Sequence, residues 1–112
     1  MLQSSFPVLP EITENAVFKA INTIIAEQEI NYQSNYHLLT ENQARLLTAI
    51  AIQGTVSAPT ASEFILRYRL PAPSSIKQAV SSLTEKEFLY HDSQRGYMVY
   101  DRFFGMWLRR LA

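Results

Sequence analysis

The residues best suited to chemistry lie in the polar stretch PAPSSIKQAVSSLTEKEFLY (71–90) and in the turn that follows it. Counted at 100° per residue from Ile76, one side of a helix here is apolar and the opposite side is polar. We select five candidate contact residues, three on that polar side, one on its flank and one on a hairpin: Ser74, Gln78, Ser81, Lys77 and Arg95. Lys77 and Gln78 have the chemistry to read base edges, and the charges of Lys77 and Arg95 could contact phosphates. Glu85 lies late on the same side and would oppose a phosphate backbone.

The sequence carries no motif that predicts catalysis. A phosphate-binding loop needs clustered glycines followed by Lys and Ser/Thr, whereas the glycines here are isolated. His37 and His91 are 54 positions apart, without a second ligand at metal spacing, so we expect surface histidines rather than a zinc site. The serines lack a His/Asp arrangement, and the spacing of Trp107 favours a core position over base stacking. We therefore expect a non-enzyme with no cofactor and no ATP site in this chain.

Composition and charge limit the number of domains, the cellular compartment and the kind of partner that can be expected. With 112 residues and 47% hydrophobic content, the chain predicts one domain with a modest core. The absence of cysteine excludes disulfides and, with no signal peptide or membrane span visible, favours a cytoplasmic location. The net charge is zero, but residues 1–59 hold two basic and five acidic residues, and residues 60–112 hold eight basic and five acidic. The basic half could face a polyanion, although attraction between the halves or a chance difference explains the asymmetry equally well.

Capping residues and apolar spacing divide the chain into elements. After a lead over 1–12, Thr13 can cap a helix that should fade near Asn31, with 30–39 as a loop or short helix. Its apolar positions recur at helical spacing and form one broad face: Val17, Phe18, Ile21, Ile24 and Ile25.

Two patterns typical of capping boxes follow. Thr40 with Gln43 predicts the start of a second helix, which Gly54 should end, with Leu46, Leu47, Ile50 and Ala51 as its buried stripe. Thr60 with Glu63 predicts the start of a third helix that runs to about Arg69.

The last three elements are a helix, a hairpin and a helix. Ser74 or Ser75 should cap the helix, whose inward positions are Ile76, Ala79, Val80 and Leu83. Residues 88–91 and 97–100 are β-prone and are joined by a turn, which predicts a hairpin. Asp101 should cap a final helix with one apolar face, formed by Phe103, Phe104, Trp107, Leu108 and Leu111.

This order predicts a mainly α fold, a winged helix-turn-helix with a three-helix core, a β-hairpin wing and an extra helix at each end. The expected division is a lead and bracing helix over 1–39 and the winged-helix domain over 40–112.

Three stretches resemble the C-terminal winged-helix module of archaeal-type P-loop ATPases: LTENQARLLTAIAIQG, PTASEFILRYRLPAPSSIKQAVSSLTEKEFLY and GYMVYDRFFGMWLRR. The closing pattern of that family, roughly G-Y-x-V-x-D-P-F-F-x-x-W-L-R, is matched from Gly96 to Arg109, except that Arg102 replaces the usual Pro. The resemblance covers about residues 38–111. It implies that the chain is a fragment of a longer ATPase and that 1–39 links it to the ATPase domain.

Two functions remain open from the residues. Firm DNA binders use about six to ten phosphate contacts, whereas this sequence offers at most five candidates: Lys77, Arg67, Arg69, Lys86 and Arg95. We therefore expect a regulatory or protein-docking module that contacts its own ATPase domain or another protein. The alternative is a winged-helix domain that binds double-stranded DNA with modest affinity in transcription regulation or DNA handling. Neither a membrane nor a small-molecule substrate is indicated.

Overall fold

A computed structural model describes residues 13–112 of the chain, so the predicted lead over 1–12 lies outside the described residues. The helices are α1 (Glu14–His37), α2 (Glu41–Gln53), α3 (Ser62–Tyr68), α4 (Pro73–Glu85) and α5 (Arg102–Leu111). One antiparallel hairpin, β1 (Leu89–Asp92) and β2 (Gly96–Val99), lies between α4 and α5. The predicted fold class is confirmed: the described chain is mainly α, with the element order of a winged helix.

Helix α2 forms the centre of the core, and its predicted ends are confirmed. The Thr40 hydroxyl accepts the Gln43 N–H at 3.2 Å, and the Gln43 side chain accepts the Thr40 N–H at 3.0 Å, which completes a capping box. Gly54, at φ +93°, ends the helix in a conformation that other residues rarely adopt. The predicted stripe is buried, and Leu46, Leu47 and Ile50 have no exposed surface.

The starts of α3 and α4 correct two predictions. Helix α3 begins after Ala61, and no side chain caps it. The Ala61 N–H donates to the Ala58 carbonyl at 3.0 Å and closes a turn, which leaves Thr60 before the helix. The Thr60 capping box is therefore wrong. Helix α4 begins at Pro73 after Ala72, so the predicted caps Ser74 and Ser75 are also wrong. Proline suits the first helical position because the N–H that it lacks would have no partner there, and its φ is already helical. The four inward positions of α4 are buried as predicted.

Helix α1 starts at its predicted cap but is longer than predicted. The Thr13 hydroxyl accepts the Ala16 N–H at 3.1 Å, and the helix continues to His37 instead of fading near Asn31. The aromatic rings of its last turns pack against α5: the centroid of Tyr32 lies 5.3 Å from Phe104 and 5.9 Å from Trp107. Burial of these rings stabilises a helix that the local polar residues alone do not predict.

The first half of α1 exposes much of its apolar face. Ile25 is buried, but Val17, Phe18 and Ile24 are exposed. The C-terminal turn of α5 reaches α1 at Asn22, whose side chain accepts a hydrogen bond from Arg110 at 2.6 Å. The bracing contact therefore begins at Asn22 and continues toward the C-terminal end of α1, and the apolar face extends beyond it on the N-terminal side.

Helix α5 covers the core as predicted. The Asp101 carboxylate accepts the N–H groups of Phe103 (2.9 Å) and Phe104 (3.3 Å), which caps the helix. Phe104, Trp107 and Leu108 are buried, Phe103 is half-buried, and Leu111 is exposed. The assignment of Leu111 to the buried face is wrong, because this residue lies in the last turn and extends past the core.

None of the helices within residues 13–112 is long and apolar enough to cross a membrane.

Candidate functional site: the groove between α4 and the hairpin

The candidate contact residues surround the exposed face of α4. Ser74, Lys77, Gln78 and Ser81 are all exposed there, and Arg95 is exposed in the turn of the hairpin. The opposite face of α4 holds this surface in place, because Ile76 and Leu83 are completely buried against the rest of the core. The side chain of Gln43 also reaches α4 and donates to the Ser82 hydroxyl at 3.1 Å.

A groove of about 680 Å³ lies between α4 and the hairpin. Its walls come from α4, from β2 and from the turn before α3, and its lining residues are Pro59, Thr60, Lys77, Val80, Ser81, Thr84, Glu85 and Tyr97. Of the five candidates, only Lys77 and Ser81 line this groove; Ser74, Gln78 and Arg95 do not. Lys77 and Glu85 are eight residues apart on α4, about 12 Å along its axis, so the groove carries opposite charges toward its two ends.

The position of Tyr97 depends on a contact that sequence periodicity does not reveal. Val56, in the segment between α2 and α3, pairs with Tyr97 through two backbone hydrogen bonds of 2.9 and 2.8 Å. Gly96 permits this approach: it is buried at φ +99°, and a Cβ atom there would lie 2.5 Å from the Val56 carbonyl oxygen. The pairing holds β2 against the segment that leads to Pro59 and Thr60, and so closes one side of the groove.

The charge of Arg95 lies beside the carboxylate of a neighbouring residue, Asp92. The Asp92 carboxylate accepts the N–H groups of Gln94 (2.8 Å) and Arg95 (3.1 Å), and the Arg95 guanidinium lies 4.0 Å from its other oxygen. These two backbone hydrogen bonds make the largest contribution to lowering the pKa of Asp92 below its usual value, and the positive charge of Arg95 lowers it further. Asp92 is therefore ionised at neutral pH, and Arg95 stands beside a fixed negative charge.

A second candidate phosphate contact is paired in the same way. Arg67 lies 3.8 Å from Glu63 on α3 and donates to the Gln53 side chain at 3.4 Å. Both ion pairs are solvent-exposed and therefore weak, so each arginine could exchange partners. Among the five cations considered for phosphate binding, Lys77, Arg69 and Lys86 have no ion pair within residues 13–112.

The histidines do not form a metal site within the described part of the chain. No group of three His, Cys, Asp or Glu side chains could hold a metal ion among residues 13–112. His91 instead contacts the ring of Tyr97, with centroids 4.6 Å apart, and His37 lies beside Tyr36 at the end of α1.

Sequence reasoning placed the polar residues of α4 on its exposed face but missed the apolar part of the groove. Alternation along the strand could have indicated Tyr97, because Tyr97 and Val99 share one side of β2. No local pattern could have indicated Pro59 or Thr60, because their position depends on the Val56–Tyr97 pairing.

Comparison with known proteins agrees with this architecture. A family model described as a probable winged helix domain matches residues 30–110. The match includes the end of α1, the helices α2 to α4, the hairpin and almost all of α5. No curated protein and no solved structure matches the chain at a significant level.

Proposed function

We propose that this chain, which belongs to the family of probable winged helix domains, is a non-catalytic accessory module of a P-loop ATPase. Its role is regulatory, and it docks a protein surface in the groove between α4 and the hairpin. The proposed partner is the ATPase domain of the same protein. The resemblance of the segment from Gly96 to Arg109 to the closing motif of such modules supports the link to an ATPase.

One observation carries the docking role: the surface that a winged helix would present to DNA is here a groove with little net charge. The groove lining holds one cation, Lys77, and one anion, Glu85, and Arg95 lies 4.0 Å from the Asp92 carboxylate. Since DNA affinity comes largely from neutralised phosphates, this face offers little of the attraction that a duplex needs. The half-buried ring of Tyr97, beside the small exposed part of Val80, instead provides apolar surface of the kind that a protein side chain can cover.

The charges of the groove suggest the chemistry of its partner. A segment that carries an acidic side chain near Lys77, a basic one near Glu85 and an apolar one between them would complement the lining. Ser81 and Thr84 lie between the two charges and can hydrogen-bond to the backbone or side chains of such a segment.

The proposal is tested in two steps. The reading frame upstream of this chain should encode a phosphate-binding loop, G-x-x-x-x-G-K-[ST], and its absence would refute the ATPase assignment. If the loop is present, the isolated ATPase domain should bind the 112-residue chain in calorimetry, and Ser81→Arg should weaken binding at least tenfold. The matched control is Ser93→Arg, which adds the same charge at an exposed position in the turn of the hairpin. Equal binding by the wild type and Ser81→Arg would exclude the groove.

The proposal that this module is not catalytic is tested separately. We expect calorimetry with ATP and Mg²⁺ to detect no nucleotide binding to the chain, because its isolated glycines do not form a phosphate-binding loop. A micromolar nucleotide site on the 112-residue chain would contradict this expectation.

DNA binding of modest affinity is the second candidate function. It is supported by the winged-helix family and by the exposure of Lys77, Gln78 and Arg95 along α4 and the hairpin. Charge reversal of both Lys77 and Arg95 would then weaken binding and flatten its salt dependence. An unchanged salt slope in the double variant would exclude these two residues as phosphate contacts.

A further inference from the structure

A second pocket, of about 390 Å³, lies where the end of α1 meets the turns that lead into β1 and α5. We call it the aromatic–acidic pocket, because its lining combines rings with charged side chains, among them Tyr32, Lys86, Glu87, Phe88, Tyr100 and Asp101. It shares no lining residue with the docking groove, and the proposed function does not depend on it.

Tyr32 brings a buried hydroxyl to this pocket. The residue is only 5% exposed, and its ring packs against Phe104. Within residues 13–112 its hydroxyl makes no hydrogen bond, unlike that of Tyr68, which donates to the Gln53 side chain at 3.2 Å. Burial is the main cause of the raised pKa of Tyr32, and the negative charge of Asp101 is the second, so the hydroxyl lies within electrostatic reach of that carboxylate. Because buried hydroxyls are normally paired, Tyr32 is suited to bond a group that enters the pocket.

Two carboxylates at the pocket keep free acceptor oxygens. One oxygen of Asp101 accepts the N–H groups of Phe103 and Phe104, and the other accepts no hydrogen bond within residues 13–112. Glu87 and Asp101 are exposed and have no ion pair in the same part of the chain. Glu87 also has a φ of +65° just after α4, a position where glycine is the usual residue. The pocket therefore offers acceptors to a donor with several N–H groups.

The rings of the pocket favour a planar cation. Tyr100 is 57% exposed, and its N–H donates to the carbonyl of the half-buried Phe88 at 2.9 Å. A guanidinium stacks on such a ring and donates to carboxylates in its own plane, which an ammonium cannot do. An anion would find fewer partners, because Asp101 already occupies the N–H groups of Phe103 and Phe104 at the start of α5.

We propose that the aromatic–acidic pocket binds the guanidinium of an arginine side chain that a partner protein presents. The planar group stacks on Tyr100 and donates to the carboxylates of Asp101 and Glu87. The oxygen of the Tyr32 hydroxyl accepts a further N–H. The exposed ammonium of Lys86 opposes the ligand by its like charge, so its removal strengthens binding.

An NMR titration of the isotope-labelled 112-residue chain with N-acetyl-arginine methylamide tests the proposal. We expect a dissociation constant on the order of 5 mM, because a single side chain makes few contacts, with amide shifts concentrated at residues 86–88 and 100–104. The citrulline analogue has nearly the same shape without the charge, and the lysine analogue has the charge without the plane; both should bind at least about threefold more weakly. Equal binding by either analogue, or shifts that fall mainly outside these segments, would overturn the proposal.

Four variants test the assigned contacts, and thermal melting checks that each is folded. Asp101→Asn keeps a side chain that caps helices well but removes the charge, and Tyr32→Phe removes only the hydroxyl; each should weaken binding at least about threefold. Lys86→Gln should strengthen it. The matched control is Glu14→Gln, which removes a carboxylate 18 positions before Tyr32, about 27 Å along α1, and should bind as the wild type.

Two results would contradict the proposed contacts. Weaker binding by Lys86→Gln would show that the pocket prefers anions, and unchanged affinity in Tyr32→Phe would show that the buried hydroxyl does not bond the ligand. Neither result would bear on the docking groove, whose lining contains none of these residues.

Discussion

Truncation of Trp107 to Ala should remove a large part of the stability of the domain. Trp107 is only 5% exposed, and its ring lies between 5.8 and 5.9 Å from the ring centroids of Tyr32, Tyr36 and Phe104. Loss of a buried Trp removes its transfer free energy and leaves a cavity, which together cost about 3–5 kcal/mol. Since small domains have total stabilities of about 5–15 kcal/mol, this one residue should account for a considerable fraction.

Thermal melting of Trp107→Ala beside the wild type, followed by circular dichroism, measures the loss. For a domain of this size each kcal/mol corresponds to about 4–8 °C, so the melting temperature should fall by at least about 12 °C. Leu111→Ala is the matched control: it shortens an apolar side chain in the same helix, but this side chain is 51% exposed, and its loss should change the melting temperature little. A shift of only a degree or two for Trp107→Ala would refute the role of α5 in closing the core.

Three further predictions concern the groove, the α1–α5 contact and the link between α2 and α4. Gly96→Ala should cost at least about 2 kcal/mol in urea denaturation, and more than Gly54→Ala, because both glycines have positive φ but only a Cβ at Gly96 would clash with backbone atoms. Burial of the Tyr32 ring is the main reason that its pKa lies above the ordinary value of 10.0, and the negative charge of Asp101 raises it further. The unfolded chain therefore releases this proton at lower pH than the folded one, and the wild type should lose stability as pH rises past 10 more steeply than Tyr32→Phe. Gln43→Leu should destabilise the fold by about 1–2 kcal/mol, because it removes half of a capping box and the hydrogen bond to α4; equal urea midpoints for the variant and wild type would contradict this reasoning.

The sequence correctly predicted those helix ends and buried faces that depend on residues close together in the chain. Thr40, Gly54 and Asp101 act within a few positions of themselves, so their residue types indicate the helix ends directly. The buried face of α4 follows from helical periodicity alone. Where two local signals competed, at Pro73 and Ser74, the proline determined the start of the helix.

The features that sequence reasoning missed depend on residues far apart in the chain. Helix α1 extends to His37 because Tyr32 and Tyr36 meet the rings of α5, about 70 positions later. The groove exists because Val56 pairs with Tyr97, so its apolar lining could not be derived from either segment alone. The polar residues of α4 could be placed on its exposed face, but which of them share a groove required the position of the hairpin.

A salt titration of duplex DNA binding tests the central claim most directly, because that claim assigns the face formed by α4 and the hairpin to a protein partner. Fluorescence anisotropy with a labelled mixed-sequence duplex should give only non-specific affinity, weaker than about 1 µM at physiological salt. Lys77 and Arg95 can neutralise two phosphates, so log K should fall against log salt with a slope of about −2. A nanomolar dissociation constant with a slope of about −5 or steeper, both weakened by the double charge reversal of Lys77 and Arg95, would contradict the account and identify this face as a DNA-binding surface.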